Sequence, residues 1–325
     1  MVTHHDTYDL LMAQIKILSE EIWKDKWEKG LQDKWINNFQ EEEKLHALYL
    51  LSKFMYFGND LIREMLKCIF RDIYRYPIIE NYRRNNNHTL DPIAIEKHFN
   101  ACLSQTRFLG LGNPSESGVH LLYLFRQENN LPKDLFINSG DIFSIHLVEK
   151  KDAVGNITER YHVSKLSRDD VKHYIFIDDF CLSGSQAVTY SQKHVKWIKD
   201  SDPTIKVDYY SLFSTAEGLK RVKAESSFDK VIAVYEIDET FKCFSDHSRY
   251  FSNERRNREH GYDKNICRTM CEGYGRRLCP EAPLGFSDGQ LMIGFQYNTP
   301  DNSLPIFWKE TSYWKAVFKR YDKLY

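Results

Sequence analysis

Two adjacent carboxylates, Asp178 and Asp179, follow the apolar run His173-Tyr174-Ile175-Phe176-Ile177. After them come Phe180-Cys181-Leu182, a Ser183-Gly184-Ser185 turn and a helix-like segment from Gln186. In an open α/β sheet, ligands sit beyond the carboxyl ends of the strands, and this strand delivers both acids to that edge. A turn that leads into a helix exposes backbone N–H groups and the positive end of the helix dipole, which suits a phosphate. Ser183 and Ser185 add hydroxyl donors, and Gly184 permits close backbone approach. The carboxylates can accept hydrogen bonds from vicinal hydroxyls or support a divalent cation. Phosphate donors beside hydroxyl acceptors make a receptor for a sugar phosphate. The competing account is plainer: acids after a strand also serve as an N-terminal helix cap.

Other stretches carry weaker chemistry. "LGLGNPSESG" (109–118) is a strand ending in glycine before a helix start, either a second anion cradle with Ser115, Ser117 and Gly118 as its donors or a plain turn with a helix cap. A charged hairpin around Gly155-Asn156 carries Lys150, Lys151 and Arg160 near its tip, where they read as solvated charges or as a cover for a diphosphate. Near the C-terminus, Asn298 and Asn302 can read a base or order a loop, and Trp308 can stack or plug a core. Cys267, Cys271 and Cys279, with His247 and His260, have no standard zinc spacing and read as packed thiols first. Arg255, Arg256, Arg258, Arg276 and Arg277 read as solvated faces, with phosphate-backbone contact as the alternative.

The elements that must position these residues change along the chain. Residues 1–104 carry helical apolar spacing, as in Leu11, Ile15, Leu18 and Ile22. A polar run at 81–92 reads as a loop. From 105 to 240, strands alternate with helices, which predicts an α/β fold with a mostly parallel sheet flanked by helices. Residues 241–325 are less regular, with a strand at 291–297.

The chain of 325 residues has 45 basic against 46 acidic side chains, so no whole-molecule grip on nucleic acid or membrane is implied. It has no run of about 18 apolar residues and no export signal at its N-terminus. Seven cysteines, an odd number, then predict reduced thiols and a cytoplasmic location.

The order of strand, Asp178-Asp179 and Ser183-Gly184-Ser185 resembles the ribose-phosphate signature of the phosphoribosyltransferase superfamily. Combined with the 115–118 turn and the tail Asn298…Asn302…Trp308, it is similar to a divergent branch found in bacterial conflict systems, which include anti-phage operons and some retrons. The resemblance covers roughly residues 105–310 and carries a helical N-terminal extension and a C-terminal hood. It implies that Asp178 and Asp179 hold ribose hydroxyls and Mg2+, and that Ser183, Gly184, Ser185 and Gln186 hold the 5-phosphate. Ser115, Ser117 and Gly118 would receive pyrophosphate, Asn298, Asn302 and Trp308 would face the base, and the hairpin would be a flap. The substrate would be phosphoribosyl pyrophosphate or a related nucleotide, and the reaction glycosyl transfer or cleavage at ribose C1. The biological role implied is a toxic defence effector. Its partners would be other proteins of its operon, such as a reverse transcriptase with its RNA–DNA product. A non-catalytic nucleotide-sensing or partner-binding module is the alternative. One position departs from the family: Gln186 stands where a threonine usually closes the loop.

Overall fold

The structure, a computed structural model, describes residues 4–24, 30–112, 117–151 and 157–321, without the side chains of 4, 117–119, 151, 158, 161, 254 and 256. The chain begins with α1 (His4–Glu21), α2 (Leu31–Ile36), α3 (Lys44–Ser52), β1 (Met55–Phe57), α4 (Asn59–Cys68), α5 (Tyr76–Asn85) and α6 (Pro92–Ser104). Next come β2 (Thr106–Gly110), α7 (Ser117–Glu128), β3 (Phe143–Lys151), β4 (Ile157–Leu166) and β5 (His173–Cys181). Then follow α8 (Ser185–Tyr190), α9 (Lys196–Ser201), β6 (Lys206–Thr215), α10 (Ala216–Glu225) and β7 (Lys230–Ile237). The last elements are α11 (Glu254–His260), α12 (Lys264–Leu278), β8 (Ile293–Phe295) and α13 (Pro305–Trp308).

Contacts group the chain into two compact units, Met1–Ile62 with Asp238–Tyr325, and Arg63–Ile237. Composition suggested three consecutive blocks with boundaries near 104 and 240. The second boundary lies close to the contact boundary at 237, whereas the first lies inside the continuous unit 63–237.

The continuous unit is an α/β fold. Its sheet has the order β2-β5-β6-β7 with every pair parallel. Parallel sheets need cover on both faces, and the sequence supplies it. On one face, Leu109, Tyr174, Phe176, Val207 and Tyr209 pack with Val188, Val195 and Ile198, and with Leu219 and Val222 of α10. On the other, Phe108 lies against Tyr74, Phe125 and Phe136, with ring centroids 5.1–5.6 Å apart. The hairpin β3–β4 is antiparallel and forms its own two-stranded sheet.

The polar run at 81–92 is partly helical. α4 passes through a π turn (Ile69–Arg75) into α5, which continues to Asn85. Pro77 does not stop this helix because it lies in the first turn of α5, where its missing N–H is tolerated. A helical residue 77 would otherwise donate to the Ile73 carbonyl; here Lys230 Nζ donates to that oxygen at 2.9 Å.

The other unit joins both parts of the chain. β1 pairs in parallel with β8, Met55 opposite Ile293 and Phe57 opposite Phe295. The block read as wholly helical therefore contains a strand, and the strand expected over 291–297 is only Ile293–Phe295. Trp23, Trp35, Phe39, Phe54, Phe307 and Phe318 fill the core of this unit. Phe54 stacks on Phe318 at 4.0 Å, and Trp35 on Phe307 at 5.5 Å. Among the described residues, no helix is long and apolar enough to cross a membrane.

Candidate functional site

β5 does not stop before its acids. Its pairing with β6 continues past them, with Asp178 opposite Ser211, Phe180 opposite Phe213 and Cys181 opposite Ser214. Successive side chains of a strand point to opposite faces, so the two carboxylates part company. Asp178 takes the face of Tyr174, Phe176 and Tyr209 and is 8% exposed. Its Oδ2 accepts from the Tyr209 hydroxyl at 2.6 Å, and its Oδ1 from the Asp179 N–H at 2.9 Å. Burial, followed by the charge of Asp179, pushes the Asp178 carboxyl well above the ordinary carboxylate range. Asp179 is half-buried and caps the next peptide, its Oδ1 accepting from the Phe180 N–H at 2.9 Å. Beside Asp178, Ser211 is fully buried, and its Oγ has no hydrogen-bond partner among the described residues.

The turn after β5 is fixed from behind by the junction of β6 and α10. Ser214 Oγ donates to the Cys181 carbonyl at 3.0 Å and Thr215 Oγ1 to the Leu182 carbonyl at 2.5 Å. Arg221 Nη1 lies 3.4 Å from the Ser183 carbonyl. Three consecutive carbonyls are thus held on one side. A peptide N–H points opposite its C=O, so this anchoring turns the intervening amides away from α10. Thr215 also caps α10, its Oγ1 accepting from the Gly218 N–H at 2.9 Å.

Two glycines make the close approach. Gly184 has φ +71°, and a Cβ there would lie 2.8 Å from the Gly218 carbonyl oxygen. A Cβ on Gly218 would lie 2.1 Å from the Leu182 oxygen. Ser183 and Ser185 are exposed, with hydroxyls 3.0 Å apart, and Gln186 is exposed in the first turn of α8. α8 runs through a π turn (Ser191–Val195) into α9, so one continuous helical run backs the loop. Cys181, at the loop's start, is buried, and burial raises its thiol.

The other predicted residues are placed as follows. Ser115 lies outside the described residues, and Ser117 and Gly118 begin α7. The 115–118 segment follows β2, the strand beside β5 in the sheet. Asn298, Asn302 and Trp308 belong to the other unit and are engaged within it. Asn298 Oδ1 accepts from the N–H groups of Thr299 and Tyr321, both at 3.0 Å. Asn302 Nδ2 donates to the Phe286 carbonyl at 2.9 Å, and Trp308 Nε1 to the Ser303 carbonyl at 2.7 Å. On the hairpin, Lys150 meets Glu159 at 3.6 Å and Arg160 meets Glu149 at 3.0 Å. The hairpin turn at 155–156 and the side chain of Lys151 lie outside the described residues.

Cys267 and Cys271 are buried in the core with Cys243, and burial keeps their thiols protonated. Cys279 lies 3.1 Å from Glu281. No group of three or more metal-ligating side chains occurs among the described residues. Arg255 pairs with Glu259 at 2.9 Å, Arg276 with Glu272 at 2.5 Å, and Arg277 sits over the Tyr274 ring.

Sequence reasoning missed Tyr209, Ser214, Thr215, Gly218 and Arg221, all from β6 and α10. One signal was available: glycine inside a helix costs about 1 kcal/mol relative to alanine. Gly218 within "TAEGLKRVKAE" therefore marks a close backbone approach.

No curated protein matches the chain. Among solved structures, it is similar to a Helicobacter pylori xanthine-guanine-hypoxanthine phosphoribosyltransferase, at 10% identity over 63% of this chain and 98% of that one, with TM-score 0.26. It is also similar to a Trypanosoma cruzi hypoxanthine phosphoribosyltransferase, at 13% identity over 57% and 82%, with TM-score 0.27. A third is an Aeropyrum pernix orotate phosphoribosyltransferase, at 11% identity over 45% and 75%, with TM-score 0.24. Similarities at this level carry no argument about the site. The family described as PRTase-CE matches residues 32–320, most of the chain. By that match the chain, with its strand, paired acids and Ser-Gly turn, belongs to the PRTase-CE family.

Proposed function

We propose that the loop joining β5 to α8 is a receptor for a phosphoribosyl group and that the protein acts at ribose C1, by glycosyl transfer or by cleavage. The observation that carries this reading is the anchoring of the Cys181, Leu182 and Ser183 carbonyls from behind, next to the half-buried carboxylate of Asp179. In such a reaction the bond from C1 to pyrophosphate breaks, a nucleophile joins C1, and the ribose passes through an oxocarbenium-like state. The protein's work is to orient the ribose, bind the leaving group and exclude water. Asp179 accepts the ribose hydroxyls, and Asp178 stiffens the strand end through Tyr209. The 115–118 segment receives pyrophosphate.

The residues fit Mg2+ only in part. Asp178 is buried with a donor on each oxygen and does not suit a cation. Asp179 offers one carboxylate, which suits an ion carried largely by the diphosphate and water. When bound, Mg2+ neutralises charge on the diphosphate.

In the cell, the protein would be a toxic effector of an anti-phage system, held silent by partners from its operon. In a retron, these would include a reverse transcriptase with its RNA–DNA product. This reading rests on the family resemblance alone.

Titration calorimetry with phosphoribosyl pyrophosphate and Mg2+, followed by a pyrophosphate-release assay, tests the chemistry. Wild type binds and releases pyrophosphate, and Asp179→Asn loses about 10-fold or more of both. If the variant binds as wild type does and keeps its activity in cells, the proposal fails. A second reading, a nucleotide-sensing module without turnover, draws on the sequestered Asp178. Tight binding without pyrophosphate release would select it.

A further inference from the structure

We propose that Arg221 is a phosphate-binding residue of this site, gripping a phosphomonoester dianion together with Ser183 and Ser185. The inference rests on the reading of the β5–α8 loop as a sugar-phosphate receptor and adds to it the cation which that reading lacks. The loop segment Phe180-Cys181-Leu182-Ser183-Gly184-Ser185-Gln186-Ala187-Val188 contains no lysine or arginine, and two aspartates stand at its base. A dianion brought there by backbone amides and hydroxyls alone would face net repulsion.

Arg221 meets that need by its place on α10. Gly218, Arg221 and Val222 share one face of the helix, since residues three and four apart are neighbours. Gly218 lies against the Leu182 carbonyl, and Val222 lies against Gly184. The same face therefore carries the guanidinium to the loop. Nη1 donates to Ser185 Oγ at 2.8 Å and lies 3.4 Å from the Ser183 carbonyl. Glu225, one turn on, accepts from Nε at 3.1 Å and fixes the plane of the group. Among the described residues, Nη2 has no partner. Arg221 is 42% exposed, so the guanidinium is reachable from solvent. The two hydroxyls lie 3.0 Å apart and Nη1 lies 2.8 Å from Ser185 Oγ, so hydroxyl donors and a guanidinium, groups that suit phosphate oxygens, stand side by side.

The test is calorimetry with three probes, ribose 5-phosphate, ribose and inorganic phosphate, on the full chain. The proteins are wild type, Arg221→Met, Arg221→Lys and Glu225→Gln. Matching melting curves show that the exposed substitutions leave the fold intact. Wild type binds ribose 5-phosphate, and Arg221→Met weakens that binding about 10- to 100-fold. Arg221→Lys retains charge without the fork and falls between them. Glu225→Gln shifts affinity less than Arg221→Met does. Wild-type affinity rises from pH 5.5 to 7.5 as the phosphate becomes a dianion with a pKa of about 6, and Arg221→Met flattens the rise. Equal affinity and equal pH dependence in Arg221→Met overturn the inference and leave the site reading intact. Equal weakening for ribose and ribose 5-phosphate makes Arg221 a structural clamp only, and also overturns it. If wild type binds neither ribose 5-phosphate nor inorganic phosphate, the site reading itself fails, and the inference with it.

Discussion

The two ends of the parallel sheet bury the same pair of groups and complete them differently. At the amino end, Asp208 accepts from the Tyr210 hydroxyl at 2.6 Å; at the carboxyl end, Asp178 accepts from Tyr209 at the same distance. Asp208 also has His173 Nε2 at 2.9 Å and stands in register with Lys230. Lys230 lies over the Tyr210 ring at 5.3 Å while it donates to the Ile73 carbonyl. A basic residue and a hydroxyl answer that carboxylate, and the network is closed. Asp178 instead has another acid as its neighbour in the chain, and the buried Ser211 hydroxyl beside it lacks a partner among the described residues. Imbalances of this kind cluster at functional sites, whereas closed networks such as that of Asp208 are structural.

The comparison can be broken at either end. Asp208→Ala leaves the buried Tyr210 hydroxyl and the half-buried His173 imidazole without their acceptor, and should lower stability by about 3 kcal/mol in a urea titration. Phosphate-ligand binding by the folded fraction should not change. Gly218→Ala pushes a methyl group into the Leu182 carbonyl and should cost about 2 kcal/mol of stability. It should also weaken ribose 5-phosphate binding, because the loop must move. A variant with normal affinity would mean that the close approach does not shape the loop.

Asp178→Asn has the smallest effect and the opposite sign. The folded-state pKa of Asp178 is raised to about 8, so the folded protein holds this proton more tightly than the unfolded chain does. The resulting stability is fully present below the unfolded value, near 4, and is lost as pH rises toward the folded value. Asp178→Asn removes that loss and should gain stability at pH 8, with no gain below pH 4. Melting curves across this range check it. A loss of stability as large as that of Asp208→Ala would make the two ends alike.

Much of the loop was legible from local sequence. The apolar run before Asp178 signals a buried strand, and Gly184 before a helix signals a left-handed turn, found at φ +71°. What stayed hidden comes from elsewhere in the chain. Tyr209 and Arg221 reach the loop because β6 pairs with β5 and α10 folds back over it, and no local spacing encodes that register. The opposite faces of Asp178 and Asp179 follow from strand alternation once the strand is known to run to Cys181 rather than end at Ile177. The parallel pairing of β1 with β8 was illegible for the same reason, since Met55 and Ile293 are joined only by tertiary structure. Trp308 read as a core plug before a stacking platform, and its indole N–H is satisfied inside its own unit.

That last pairing has a consequence for synthesis. One compact unit is assembled from Met1–Ile62 and Asp238–Tyr325, whereas the other is continuous from Arg63 to Ile237. On the ribosome, the continuous unit has all its strands once Ile237 has emerged. The N-terminal part must wait, its aromatic core half-built, until β8 and α13 arrive. Prior folding of the middle shortens the effective loop between Met55 and Ile293 and lowers the entropy cost of closing it. A ribosome stalled once Ile237 has cleared the exit tunnel would therefore present a formed β5–α8 loop on a chain whose first helices still expose Trp23, Trp35 and Phe39 to chaperones.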